Sequence, residues 1–329
     1  MKLYVFIYYF FVNLYFLSNT NFTDIKMRIK NSKRNSNKQK NNSATTIVNE
    51  QDTLLSYLFK AYSDRSKTTV KSWLSHRQVA INDKPETAFD APLMPGDRVL
   101  INFEKGFKVF KNARINIVFE DDYIIVANKG YGLLSVSSDR VKERTAFHIL
   151  SDYLKEDNPS AKLFVIHRLD RDTSGLIMFA KSEEVQFKLQ RSWNEMVLDR
   201  RYVAVISGHI DPAEGEISSY LAENSVHHVY STSDKEKGQF ALTKYKTLQK
   251  NSRLSLVELQ LATGRKNQIR VHMSESGHPI AGDKRYGSKE NPLGRLSLHA
   301  FRLRFVHPIT RQDMLFETPL PPQFVKVTR

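Results

Sequence analysis

Nine residues between the apolar runs "KLFVI" and "LIMFA" gather most of the reactive side chains of their region: His167, Arg168, Asp170, Arg171 and Asp172, closed by Thr173, Ser174 and Gly175. A loop joining two buried strands presents its polar residues at a sheet edge, where binding and catalytic groups commonly sit. Three chemistries fit. The charges can pair within a turn while Thr173 and Ser174 satisfy backbone groups. Asp170, flanked by Arg168 and Arg171, can belong to a binding or catalytic site. A metal can use His167, Asp170 and Asp172, but the chain carries no HExxH or comparable second ligand group, so no metal is expected. On these nine residues alone the structural turn is the simplest reading.

The elements around this loop indicate how it is held. "INIVFEDDYIIVANKG" reads as strand, acidic turn, strand and glycine turn, and "KLFVIHRLD" and "GLIMFAKS" read as strands on either side of the loop. "SEEVQFKLQRSWNEMV" has helical periodicity with Ser182 as N-cap. "RRYVAVISG", "ALTKYKTLQK" and "LSLVELQLATG" are further strands, the last running into a helix through "NQIRVHMSESG" closed by Gly277. Strands and helices do not alternate regularly. The expected fold over residues 115–329 is therefore α+β, with a mixed, largely antiparallel sheet.

Upstream, Leu54, Leu55, Leu58 and Phe59 suit one helix, and Val70, Trp73 and Leu74 suit a second, capped by Ser63 or Asp64. "QVAIND" and "DRVLINF" follow as short strands around a Pro95-Gly96 turn. Residues 51–104 thus form a small α/β module, joined onward by "EKGFKVFKNARI", a linker with strand character. Lys67 and Lys71 lie one turn apart with Arg77 following, a candidate basic face for an RNA backbone. The span from Gln51 to Glu104 balances seven Lys/Arg against seven Asp/Glu, so this rests on placement and not on net charge.

The whole chain, with 50 Lys+Arg against 35 Asp+Glu, carries +15, which favours a polyanionic partner. Its 329 residues contain no cysteine, which excludes disulfides, thiolate-held zinc and a thiol nucleophile. Residues 1–26 open with an apolar run, Leu3 to Leu17, that has signal-peptide character but no small-x-small cleavage pattern. They read either as a hydrophobic leader or as upstream sequence from a start codon placed too early, with Met27 the natural start. Residues 27–50 carry six Lys/Arg before the first acidic residue, Glu50, and read as a disordered basic arm. Membrane association is expected only if residues 1–26 are translated; otherwise a cytoplasmic protein is expected.

Four motifs in order, "DDYIIVANKGYGLLSV", "HRLDRDTSGLIMFAKS", "RRYVAVISG" and "LATGRKNQIRVHMSESGHPIAGDKRYG", resemble the RluA family of RNA pseudouridine synthases. The module before them resembles the S-four-type RNA-binding module, in Leu54 to Leu58, Ser66-Lys67, Val79 to Asn82 and Gly96 to Leu100. The resemblance implies a pseudouridine synthase fold with Asp170 as catalytic aspartate. Arg168 would enter the RNA stack where the target base has left, Tyr202 would lie against the flipped uracil, and Arg270 would pair with the carboxylate, flanked by apolar Ile269 and Val271. Arg265 is a second candidate for that pairing. Arg171, Arg265 and Lys266 would line the RNA groove.

Asn267 departs from the histidine usual before the glutamine, which puts fine positioning in doubt. His272, His278 and His299 are expected to be structural or RNA-proximal. An isomerisation gains and loses no atoms, so no cofactor is expected, in keeping with the missing glycine-rich phosphate loop. The partner is RNA, foremost large-subunit ribosomal RNA, with transfer RNA as the alternative, and the protein is expected to be a monomer. A catalytically silent ribosome-associated binding protein is the competing class.

Overall fold

The computed structural model describes residues 42–82, 84–137 and 143–329. The leader expected at 1–26 and residues 27–41 of the expected arm lie outside the described residues. The chain divides into two units, one up to Val109 and one from Phe110 onward.

In the first unit, helix α1 (Leu54–Ala61) buries Leu54 and Leu58, and α2 (Lys67–Ser75) buries Val70, Trp73 and Leu74; both follow the three-to-four residue spacing of one helix face. They pack on a sheet ordered β1-β6-β3-β4, made of β1 (Ser43–Ile47), β3 (Val79–Ile81), β4 (Lys84–Pro85) and β6 (Arg98–Asn102). A short ribbon, β2 (Asp52–Thr53) with β5 (Pro92–Leu93), closes one side. Tyr62, Trp73 and Phe103 meet edge to face, with centroids 5.2 to 6.1 Å apart.

Two expectations are corrected here. The arm was expected to be disordered to residue 50, yet Ser43–Ile47 pair antiparallel with Arg98–Asn102 and Val48 enters the core. The β-branched run Thr45, Thr46, Ile47 and Val48 favours a strand despite the polar sequence before it. The cap of α2 is Ser66, which accepts from the Thr69 N–H at 3.1 Å, and not Ser63 or Asp64, which lie before the helix's first turn.

The second unit is built on one eleven-stranded sheet. Its elements in chain order are β7 (Ile115–Glu120), β8 (Ile124–Lys129), α3 (Ala146–Asp157), β9 (Phe164–Val165), β10 (Ser174–Ala180), α4 (Glu183–Arg191), α5 (Trp193–Met196), β11 (Val197–Ser207), β12 (Glu214–Glu223), β13 (Val229–Thr232), β14 (Gln239–Lys250), β15 (Leu254–Leu261), α6 (Gln268–Glu275), β16 (Leu298–Val306), β17 (Asp313–Glu317) and α7 (Pro322–Val327). Nine of the strands run in the order β13-β12-β14-β15-β11-β16-β10-β8-β7, with β17 on β16 and β9 on β10. Among these pairings only β10 with β16 is parallel, so the fold is α+β with a mixed, largely antiparallel sheet.

All seven residues of β10 are buried because both faces are covered. Ile149 and Leu150 of α3 pack on Ile177 and Phe179, while Val185 and Leu189 of α4 pack on Leu176 and Met178. Two covered faces require the unbroken apolar run seen in its sequence. Ser182 caps α4 as expected, accepting from Val185 N–H, but the helix stops at Arg191 and α5 is a separate turn. The strand expected through "KLFVIHRLD" is only two residues long. The His167 ring takes the Met178 N–H at 3.0 Å, a donor that a longer β9 would otherwise engage. Among the described residues no helix is long and apolar enough to cross a membrane.

His272 and His299 are buried among hydroxyls: Thr243 and Ser219 for the first, Ser174 and Thr318 for the second. Burial pushes both down to about 4; the Arg295 charge adds to the effect at His299, while Glu275 opposes it at His272. Their folded pKa lies below the unfolded value, so between pH 4 and 6.5 the unfolded chain binds more protons. The contribution of these two histidines to stability is therefore expected to rise with pH across that window and to flatten above it. At pH 4.5 each histidine should cost about 2 kcal/mol relative to pH 7, read from the shift of the denaturant midpoint. His299→Gln should flatten the slope.

Candidate active site

The loop holding Asp170 is fastened at both ends. At its exit Gly175 has φ +118°, and a Cβ there would lie 2.2 Å from the Ala300 carbonyl oxygen, so the parallel contact of β10 with β16 requires glycine. Arg295 donates to Ser174 Oγ at 2.8 Å, and Ser174 Oγ also meets His299. At its entrance Ser135 Oγ donates to the Leu169 carbonyl at 2.7 Å and accepts the Leu169 N–H at 3.1 Å. Beneath it Lys129, fully buried, donates to the carbonyls of Leu133, Gly130 and Arg171 at 2.8, 3.0 and 3.1 Å. Burial pushes the Lys129 pKa down to about 7, against the pull of the Asp172 and Asp170 charges.

Asp170 is left partly exposed at the meeting of two spaces. In front lies a groove of about 770 Å3, whose walls carry seven Lys/Arg side chains and three carboxylates. Behind lies a narrower cavity of about 200 Å3, lined by Arg168, Tyr202, Ile269 and Arg270 among others. The Arg270 guanidinium stands 3.4 Å from Asp170 Oδ2. Its stronger partner is the buried Asp283, which takes Nε at 2.7 Å and Nη2 at 2.8 Å. The Tyr286 ring lies 4.9 Å below the guanidinium, and Asn267 Oδ1 accepts from it at 3.1 Å. Burial alone would weaken the charge on Arg270. The bonds and charge of Asp283, joined by those of Asp170, instead raise its pKa above the usual arginine value. The expected Arg270 pairing is present, then, but as the looser side of a clamp that Asp283 anchors.

Tyr202, on β11, lines the inner cavity. Burial raises its phenol pKa, Asp170 adding and Arg200 opposing, so it is neutral near pH 7. Ile269 and Val271 are buried on α6, which places Arg270 in its first turn; Asn267, at φ +53°, starts that helix from the left-handed region. Arg168 is exposed and lines both spaces.

The remaining expected residues are spread more widely. Arg171 lines the groove but pairs with Glu143 at 2.9 Å, so the turn is not closed by internal pairs on Asp170. Arg265 does not reach Asp170; its Nε donates to the Phe240 carbonyl. Lys266 lies on the groove and pairs with Glu223. Lys67 and Lys71 are exposed on α2 in the first unit, whereas Arg77 lies beyond the end of that helix at φ +57° and does not continue its face. Sequence reasoning missed Lys129, Asp283, Tyr286 and Arg295. The first three stood inside quoted motifs, where their signal was a charged or phenolic residue beside glycines.

Residues 123–275 match the family model described as RNA pseudouridylate synthase. The "Uncharacterized RNA pseudouridine synthase YhcT" of Bacillus subtilis is 31% identical over 298 residues, covering 88% of this chain and 98% of the relative. The "Ribosomal large subunit pseudouridine synthase D" of Neisseria meningitidis serogroup B is 32% identical over 280 residues, covering 80% and 74%. Among solved structures, "Human RNA Pseudouridylate Synthase Domain Containing 1" aligns with a TM-score of 0.52 at 26% identity, covering 66% of this chain and 89% of that one. The chain belongs to the RluA family of RNA pseudouridine synthases, isomerases that act on RNA.

Proposed function

We propose that the protein converts uridine to pseudouridine in large-subunit ribosomal RNA, with Asp170 as the catalytic carboxylate. The observation that carries this reading is the place of Asp170, where a cation-lined groove meets a narrower cavity walled by Tyr202. The groove takes the RNA backbone; the cavity takes one base. In the reaction the bond from ribose to ring nitrogen breaks, the uracil turns, and a bond forms to ring carbon five. The hydrogen on that carbon leaves as a proton, and the freed nitrogen gains one. Asp170 acts either as nucleophile on the sugar or as base on a sugar proton. Arg270, fixed by Asp283, keeps positive charge beside it without neutralising it through a close ion pair. Tyr202 offers the detached uracil an uncharged stacking surface.

The first unit serves as an S-four-like module that adds RNA contact through Lys67 and Lys71, with Arg77 beside the helix end. The protein acts as a monomer in the cytoplasm. The test is tritium release from RNA labelled at uridine carbon five, comparing large-subunit transcripts, small-subunit transcripts and bulk transfer RNA. Release confined to large-subunit RNA is expected. Release from transfer RNA alone would move the substrate, and tight binding without release from any RNA would favour a silent binding protein.

Flipping the base costs a few kcal/mol of unstacking, which the exposed Arg168 offsets by stacking its planar guanidinium in the gap. Arg168→Ala should therefore lower kcat/KM about tenfold more on a folded RNA stem than on an unstructured oligonucleotide. Equal losses on both would remove the stacking role.

A further inference from the structure

Arg200 has no part in the chemistry above, yet it is placed as a binding group. It stands two residues before Tyr202 on β11, so the two side chains leave the same face of the strand. Both line a third space of about 420 Å3, which shares Arg168, Tyr202 and Arg265 with the cavity behind Asp170. This space holds three arginines, Arg168, Arg200 and Arg265, and no carboxylate among the described residues.

Other arginines of this region are matched to acids. Arg201 pairs with Asp199 and Glu258, Arg302 with Glu317 and Asp199, and Arg304 with Asp313. Arg200 makes no ion pair among the described residues; its guanidinium lies 5.5 Å over the Trp193 ring. Burial lowers its pKa, with only the Tyr202 phenol opposing. Gly264 makes room for it, because a Cβ there would lie 2.6 Å from Arg200 Nη1. A partly desolvated guanidinium held by packing, in a cavity without acids, is arranged for an anion from outside the chain.

We infer that Arg200 is the centre of a phosphodiester subsite, gripping an RNA backbone phosphate next to the nucleotide that enters the Tyr202 cavity. The inference rests on RNA lying across Asp170 as proposed above. The subsite opens onto the cavity that takes the base, so one phosphate there fixes the strand from which the base swings. Trp193 limits the guanidinium's motion, and the planar fork can engage two phosphate oxygens.

The test uses the full chain and a fluorescein-labelled single-stranded oligoribonucleotide, with binding followed across a series of potassium chloride concentrations. Arg200→Met should weaken binding about tenfold and reduce the slope of log affinity against log salt by about 0.7, one single-strand phosphate contact. Gly264→Ala keeps the charge but pushes the guanidinium aside, and should reduce the slope similarly. Arg304→Met, at an exposed paired arginine, should leave the slope unchanged. Unchanged slopes in both Arg200→Met and Gly264→Ala would overturn the subsite. An equal fall in Arg304→Met would do so as well, by reducing the effect to net charge. If Arg200→Met fails to fold, Gly264→Ala decides. Tritium release by the unaltered protein tests the catalytic reading separately, so failure of either is distinguishable.

Discussion

Asp170→Asn is expected to lower kcat for tritium release by about a thousandfold or more, with RNA affinity changed by less than about threefold. The carboxamide has nearly the shape of the carboxylate but neither attacks a sugar carbon nor accepts its proton at neutral pH. The surrounding pocket should survive, because Arg270 is held by Asp283 at 2.7 and 2.8 Å and by Asn267 at 3.1 Å, independently of its 3.4 Å approach to Asp170. Removing one end of that long contact leaves no buried charge alone. The loss therefore falls on kcat and not on folding or binding. If kcat and affinity fell together, Asp170 would be shaping the groove; near-normal turnover would move the chemistry to another carboxylate.

Much of this was legible in the sequence, where the physics is local. The unbroken apolar run of β10 announced a strand covered on both faces, and Ser182 with the helical spacing after it announced α4. The polar loop between strands placed Asp170 at a sheet edge without deciding its role, and only the resemblance to the RluA family singled out Asp170 and, at the corner after β15, Arg270. The failures share a cause, since each depends on how separate segments of the chain fold back onto one another. Thr45 to Val48 form a strand edge only because Arg98 to Asn102 supply the opposite ladder. Arg270 takes its main bonds from Asp283, a residue in what the sequence offers only as a glycine-bounded turn. His167 was a candidate metal ligand by type and spacing, but its ring accepts a backbone N–H from Met178, just past the end of the two-residue β9. Lys129 is the extreme case: a lysine at the end of a strand is ordinarily a solvated cation, and nothing local shows that three carbonyls converge on it.

Replacing that lysine, Lys129→Met, should cost about 3 kcal/mol of stability and lower kcat about a hundredfold, with KM for RNA nearly unchanged. Methionine reproduces the lysine stem as far as Cε and lacks only the terminal nitrogen, so no large cavity forms. What it lacks is the terminal nitrogen donor, which meets the carbonyls of Leu133, Gly130 and Arg171. Those acceptors would stay buried without donors, each at about 1 kcal/mol. The Arg171 carbonyl belongs to the residue after Asp170, so losing its bond frees the backbone that aims the carboxylate. Ser135 would still hold Leu169 from the other side, which leaves the loop misaimed and not unfolded. A displacement of about 1 Å in a reacting group is enough for a loss of this size. The cations on the groove walls, Arg168 and Arg171 among them, remain, so RNA should bind as before. Hydrogen exchange of the amides from Leu169 to Thr173 should quicken in the variant, while those of α6 stay protected. Uniformly faster exchange across the second unit would instead make Lys129 a general support of the fold, and a rise in KM with kcat preserved would place its effect on RNA binding.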